Sequence, residues 1–144
     1  MSRIKIDLPG NFPFTTSIPI RITDINYGGH TGNDTILSII HEARIQFLKS
    51  LGYTELEFAG VGMIMADVGI EFKAELFYGD IVTASVAADG ITKIGFDVYY
   101  KLEKEAAGKT VLVAVAKTAM VCYDYSRKKI AALPEDAKER LKKV

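Results

Sequence analysis

From Asn33 or Asp34 to Leu51 the chain repeats apolar residues at three- and four-residue spacing: Ile36, Leu37, Ile40, Ala43, Phe47 and Leu51, with Ile39, Ile45 and Leu48 widening the stripe. A helix with so broad an apolar stripe cannot lie on a surface, and other elements must wrap it. Asn33 or Asp34 is placed to cap its start, and Gly52 stands where a left-handed residue would end it. Thr54 to Glu57 spells a capping box, which predicts a short second helical turn.

The wrapping elements are strands. Ile18, Ile20 and Ile22 alternate with Pro19, Arg21 and Thr23, the period of a half-buried strand, and Pro19 suggests an edge because it cannot donate to a ladder. After the helix, Met63 to Leu76, Ile81 to Ala88, Lys93 to Lys104 and Thr110 to Tyr123 read as strands. Tyr78-Gly79-Asp80, Asp89-Gly90 and Ala106-Ala107-Gly108-Lys109 separate them as turns, which implies an antiparallel meander. In the last strand both parities are apolar: Val111, Val113, Val115 and Val121 on one face, Leu112, Ala114, Ala116 and Met120 on the other. One face can cover the helix, and the other needs a further partner, so self-association as a homodimer or homotetramer is expected. A closing helix begins at Pro134, with Glu135 and Asp136 in its first turn and lysines in its last. The order predicts an α+β fold in which a curved antiparallel sheet wraps a central helix. With 144 residues, one domain over 1–144 is expected.

Eighteen basic residues balance eighteen acidic ones, so the field that non-specific nucleic-acid binding needs is missing. The single cysteine, Cys122, sits in the apolar run from Val111 to Tyr123 and reads as packing, not as a nucleophile. No stretch has the apolar length of a membrane span, and the residues after Met1 lack a secretory pattern, which predicts a cytoplasmic protein. His30 and His41 lack the spacing of a zinc helix, and neither a P-loop nor a Gly-x-Ser-x-Gly elbow occurs, so no metal or cofactor is expected.

Asp24-Ile-Asn26-Tyr-Gly-Gly29-His30-Thr-Gly-Asn33-Asp34, followed by His41-Glu42-Ala43-Arg44, resembles the Asp-x-Asp-x-x-Gly-His-Val-Asn-Asn and Glu-Ala-Arg signatures of 4-hydroxybenzoyl-CoA thioesterase-like hotdog enzymes. Tyr78-Gly79-Asp80 is similar to that family's turn into the next strand, and the pattern spans roughly residues 15 to 133. The resemblance implies a hotdog fold and hydrolysis of an acyl-CoA or acyl-carrier thioester to free acid and thiol. It also implies that the second acid of the Asp-x-Asp pair is the catalytic carboxylate and that the backbone N–H of Asn33 polarises the carbonyl. Here Asn26 occupies that acid's position and Asp24 the first. An amide is neither carboxylate nucleophile nor general base, so Asn26 is left to orient water or hydrogen-bond the thioester oxygen.

The residues themselves support a site at this loop. Glycines at 28, 29 and 32, beside Tyr27, let backbone approach a ligand, and the helix start presents unpaired N–H groups with partial positive charge. The missing carboxylate must come from Asp24, Asp34, Asp67 or Glu42. Asp24, on the parity of Ile22, is expected to point inward and is the first choice; Asp34 has a competing use as a helix-start acid. Asp67 interrupts an apolar strand and would reach a neighbouring subunit's pocket, and Glu42 and Arg44 are expected to have structural partners. His30 is placed to donate to the carbonyl or hold Asp24, whereas His41 reads as a packed or interface residue. Arg127 and Lys128, in a Tyr-Ser-Arg-Lys turn, are the candidate contacts for CoA. Two other readings remain: a non-catalytic acyl-thioester binding module, and a hotdog dehydratase or hydratase, for which His30 lacks the surrounding signature.

Overall fold

The helix expected at the centre is present. The computed structural model describes residues 1–144, and α1 (Asn33–Ser50) crosses a sheet built from β1 (Phe14–Pro19), β2 (Gly62–Phe72), β3 (Ile81–Asp89), β4 (Gly95–Ala106), β5 (Lys109–Asp124) and β6 (Lys129–Ile130). A short α2 (Glu135–Lys142) follows. The strands run in the order β1-β3-β4-β5-β2, all pairs antiparallel, with β6 added to the end of β5. This is the hotdog arrangement, with β1 and β2 as the two free edges. Pro19 ends edge strand β1, where its missing N–H costs nothing.

Alternation on the sheet aims Val82, Ala84 and Val86 of β3, Val98, Tyr100 and Leu102 of β4, and Ala114, Ala116 and Met120 of β5 at the helix. From α1 they meet Ile36, Ile40, Ala43, Phe47 and Leu48, all buried. Each fully buried large side chain of this kind contributes about 1.5–3 kcal/mol, so this seam holds the helix in place. Leu37, by contrast, remains 37% exposed. The helix is therefore open along the flank that faces β2.

Several local expectations are corrected. In β5 a bulge opposite Leu102 and Glu103 breaks the alternation at Val113, so Val111 and Val113 do not share a face with Val115 and Val121. Helix α1 is capped at Gly32 with no side-chain cap from Asn33 or Asp34. Its far end is as expected, with Gly52 at φ +87° after Leu51. Thr54 does accept the N–H of Glu57 at 2.9 Å, but the segment turns without becoming helical. The outer face of the sheet is partly covered by the chain's own first residues: Ile6 donates to Glu71 at 2.8 Å, and Lys101 lies over the Phe12 ring.

Cys122 is fully buried on the inner face, and burial pushes its thiol up to about 11. The thiolate is the reactive form. An aromatic disulfide reagent at pH 8 is therefore expected to leave the native chain unmodified over minutes and to titrate one thiol once urea unfolds it. Rapid native labelling would contradict this burial.

No helix is long and apolar enough to cross a membrane.

Candidate active site

Strand β1 stops at Pro19 and does not continue to Ile22 as expected; Ile20 instead donates its N–H to the Asp80 carbonyl at 2.8 Å and accepts the Gly79 N–H at 3.3 Å, both in the β2–β3 connection. Ile22 to Asp24 instead form a 3-10 turn, with Ile22 66% exposed. The Asp24 carboxylate folds back, accepting the Arg21 N–H at 2.8 Å and lying 3.5 Å from its guanidinium. Asp24 thus does not point into the core. It lines a cavity of about 350 Å³ with Arg21, Ser38, Glu42 and Gln46, on the β1 side of the helix.

The loop that follows is a tight backbone knot. Asn26 accepts the N–H of Gly29 at 3.1 Å and donates its own to His30 at 3.0 Å; its side-chain Oδ1 accepts the Gly28 N–H at 2.8 Å. Gly29 sits at φ +86°, a conformation that glycine adopts without strain. Tyr27 projects from the tip, fully exposed. Thr31 donates to the Leu76 carbonyl at 3.0 Å, which ties the loop to the segment after β2. His30 Nδ1 lies 3.0 Å from the Thr31 carbonyl and must donate to it, which leaves Nε2 facing Glu75 at 3.8 Å.

At the helix start, Thr35 and Ile36 both donate to the Gly32 carbonyl, and the N–H groups of Asn33 and Asp34 have no protein partner. Those two donors carry the positive end of the helix dipole. Gly32 has the extended φ of −81°, so backbone conformation does not demand a glycine. Space does. A Cβ there would stand 2.6 Å from Asp34 Oδ1 and 3.5 Å from Asn26 Nδ2. The Asp34 carboxylate and the Asn26 amide therefore both lie on the side of Gly32 where a side chain would stand, and the carboxylate fills that space. A cavity of about 320 Å³ reaches the helix start at Asn33 and is lined by His30, Asn33, Ile36, Phe72, Lys73 and Glu75, without Gly32, Asn26 or Asp34.

The other candidates lie elsewhere in the chain. Asp67 sits at a bulge in β2 on the outer face, where it accepts from Lys117 Nζ at 2.9 Å and from the Ala119 N–H at 3.1 Å. Glu42 accepts from Gln46 at 2.9 Å. Arg127 and Lys128 form the β5–β6 turn, in which Asp124 accepts the N–H groups of Ser126 and Arg127. This turn is at the Gly62 end of β2, whereas the loop lies at its Phe72 end, and eleven strand residues separate them, roughly 35 Å.

Glu75 and Glu55 were not singled out in the sequence. Glu75 lies just past β2, and only the crossing hydrogen bond from Thr31 to Leu76 brings it to His30. Glu55 follows the helix in a polar turn and reaches back to both His41 and Arg44. Neither belongs to a local pattern that marks chemistry.

Residues 20–141 match the family described as the thioesterase-like superfamily. A putative esterase from Aquifex aeolicus strain VF5 is 24% identical over 132 residues, which are 90% of this chain and 98% of that protein. Among solved structures, a 1,4-dihydroxy-2-naphthoyl-CoA thioesterase from Synechocystis superposes with a TM-score of 0.80 at 20% identity, covering 91% of this chain and 96% of that one. A mutant 4-hydroxybenzoyl CoA thioesterase complexed with 4-hydroxybenzoyl CoA also gives a TM-score of 0.80, at 17% identity, covering 89% and 97%. The matched span holds the loop, the helix and every strand of the sheet except β1. This chain belongs to the thioesterase-like superfamily.

Proposed function

We propose that this protein is an acyl-CoA thioesterase, one hotdog unit over residues 1–144, that cleaves its substrate with water. The observation that carries this reading is the helix start, where the Asp34 carboxylate and Asn26 amide lie on the side of Gly32 that a side chain would occupy and the N–H groups of Asn33 and Asp34 are unpaired. In the proposed reaction those N–H groups hold the thioester oxygen and stabilise the oxyanion that forms on it. Asp34 takes a proton from water, whose oxygen bonds to the carbonyl carbon. The carbon–sulfur bond then breaks, and the proton passes to the departing thiolate, leaving free acid and thiol. Asn26 orients the water through its amide. Asp34 replaces Asp24 as the preferred carboxylate, because Asp24 is held by Arg21 on the other side of the helix. Family membership and the thioesterases among the structural neighbours support the reaction class.

The direct test is thiol release from a panel of short, long and aryl acyl-CoAs. Turnover of any member well above the spontaneous rate is the expected result. Tight binding of CoA thioesters without release would replace the enzyme by a binding module, a reading that the amide at position 26 keeps in view.

The chain is proposed to act as a homodimer or a dimer of dimers. The free edge of β2 supports this reading. There Met65, Val68 and Phe72, with Leu37 of the helix, are 37–46% exposed on the open flank. Antiparallel pairing of two β2 edges would bring the Gly62 end of one chain to the Phe72 end of the other. Arg127 and Lys128 would then approach the neighbouring loop and hold the CoA phosphates there. Sedimentation is expected to show at least a dimer at micromolar concentration. Charge reversal at Arg127 and Lys128 is expected to raise KM for acyl-CoA and spare a pantetheine thioester; an active monomer would remove both expectations.

A further inference from the structure

The cavity at the helix start carries on its wall one carboxylate that no lysine or arginine neutralises. Its apolar sides come from Ile36 and Phe72, its charged ones from Lys73 and Glu75. Lys73 Nζ lies 3.4 Å from one Glu71 oxygen, and the other Glu71 oxygen accepts the Ile6 N–H at 2.8 Å. Lys104, which also approaches this segment, donates to Asp80 Oδ2 at 2.9 Å. Both ammonium charges are thereby matched by other acids. Glu75 is left with the His30 ring as its ionisable contact, at 3.8 Å.

The place of Glu75 is fixed through its backbone. Its carbonyl accepts Lys104 Nζ at 2.8 Å, and the preceding Ala74 N–H donates to the Val113 carbonyl at 3.1 Å. The following Leu76, fully buried, accepts the Thr31 N–H at 3.0 Å. The carboxylate therefore stands at the cavity wall on an anchored stem. Its side chain is 61% exposed, so dissolved ions reach it.

In the reaction proposed above, the N–H groups of Asn33 and Asp34 hold the thioester oxygen, and this cavity opens at Asn33. An acyl group attached to that carbonyl extends past Ile36 and Phe72 and beside Glu75. Resting on that thioesterase reading, we infer that Glu75 is a specificity-determining residue, which admits uncharged acyl groups and disfavours those ending in a carboxylate. Two like charges about 7 Å apart, at an effective dielectric constant of about 40, change an equilibrium by roughly fivefold to tenfold. Selection of this kind works by repelling the wrong ligand and needs no added contact with the right one. It holds for either state of the His30 ring, because it concerns the difference that the Glu75 charge alone makes.

The test uses acyl-CoAs of equal length that end in methyl or in carboxylate: pentanoyl with glutaryl, and hexanoyl with adipyl. The corresponding S-alkyl CoA thioethers, which cannot be hydrolysed, are measured beside them. The wild-type protein is expected to favour the methyl-ended member in kcat/KM and in thioether affinity, and Glu75→Gln should reduce both ratios by at least about fivefold. Any loss common to both members cancels in the ratio. Glu75→Asp, which keeps the charge, should keep most of the preference. Added salt should shrink the wild-type ratio and leave that of Glu75→Gln nearly unchanged. Ratios that are equal in wild type and Glu75→Gln, and insensitive to salt, would overturn the inference while thioester hydrolysis stands. A thioether preference that depends on Glu75, with no thiol release from any substrate, would sustain it and defeat the hydrolase reading instead. Binding of no thioether at all would defeat both.

Discussion

Asn33→Pro is expected to lower kcat for thioester hydrolysis by about 10²–10³-fold while leaving the fold intact, the usual effect of deleting one oxyanion donor. Position 33 is the first residue of α1, where proline's missing N–H breaks no helical hydrogen bond and its fixed φ suits the helix. The preceding residue must be extended before a proline, and Gly32 already is, at φ −81° and ψ 168°. The substitution therefore removes the proposed donor and little else. Asn33→Ala, which keeps the N–H and drops the side chain, separates the two contributions and should stay within a few-fold of wild type. Circular dichroism and thermal melting check the helix. A folded Asn33→Pro protein with full activity would take the oxyanion site away from this helix start.

Asp34→Asn is expected to cost about 10²-fold in kcat, within the range for a lost general base, with little change in KM. Asp24→Asn should retain most activity, because its carboxylate serves the Arg21 turn and faces the cavity on the β1 side of the helix. Gly32→Ala supplies an independent check. Its backbone accepts a side chain, but the new Cβ would crowd the Asp34 carboxylate at 2.6 Å, so activity should fall without loss of folding. Steady-state kinetics of the three variants decide the assignment. An inactive, folded Asp24→Asn beside a wild-type-like Asp34→Asn would return the carboxylate to Asp24 in the 3-10 turn before the loop. A rate increase in Asn26→Asp would show that the amide position also reaches the reacting carbon.

Much of the architecture was legible in local periodicity. The stripe from Ile36 to Leu51 specified a wrapped helix, and the strand patterns in 81–88 and 93–104, with a glycine turn between, specified an antiparallel meander, because spacing of 3.6 or 2 residues is a property of the chain itself. The loop motif and the Asn26 departure were equally readable. What periodicity missed were breaks in it: the early end of β1 at Pro19, the bulges at Ala66 and Val113, and the N-terminal segment laid over the outer face.

The site divided in the same way. The sequence alone determined which residues stand at the loop and that the helix start would offer free N–H donors, since the first turn of any helix lacks acceptors upstream. Only the tertiary structure decided where the carboxylates point. Asp24 and Asp34 are both short acids near one helix end, and their roles separate because Arg21 captures one while the missing Cβ of Gly32 admits the other. Likewise, Glu55 meets His41 across fourteen residues, Arg44 meets Tyr100 across fifty-six, and Glu75 meets His30 through the pairing of Thr31 with Leu76. Such contacts depend on how sheet and helix close on each other, a property of packing at long sequence separation that no local pattern encodes.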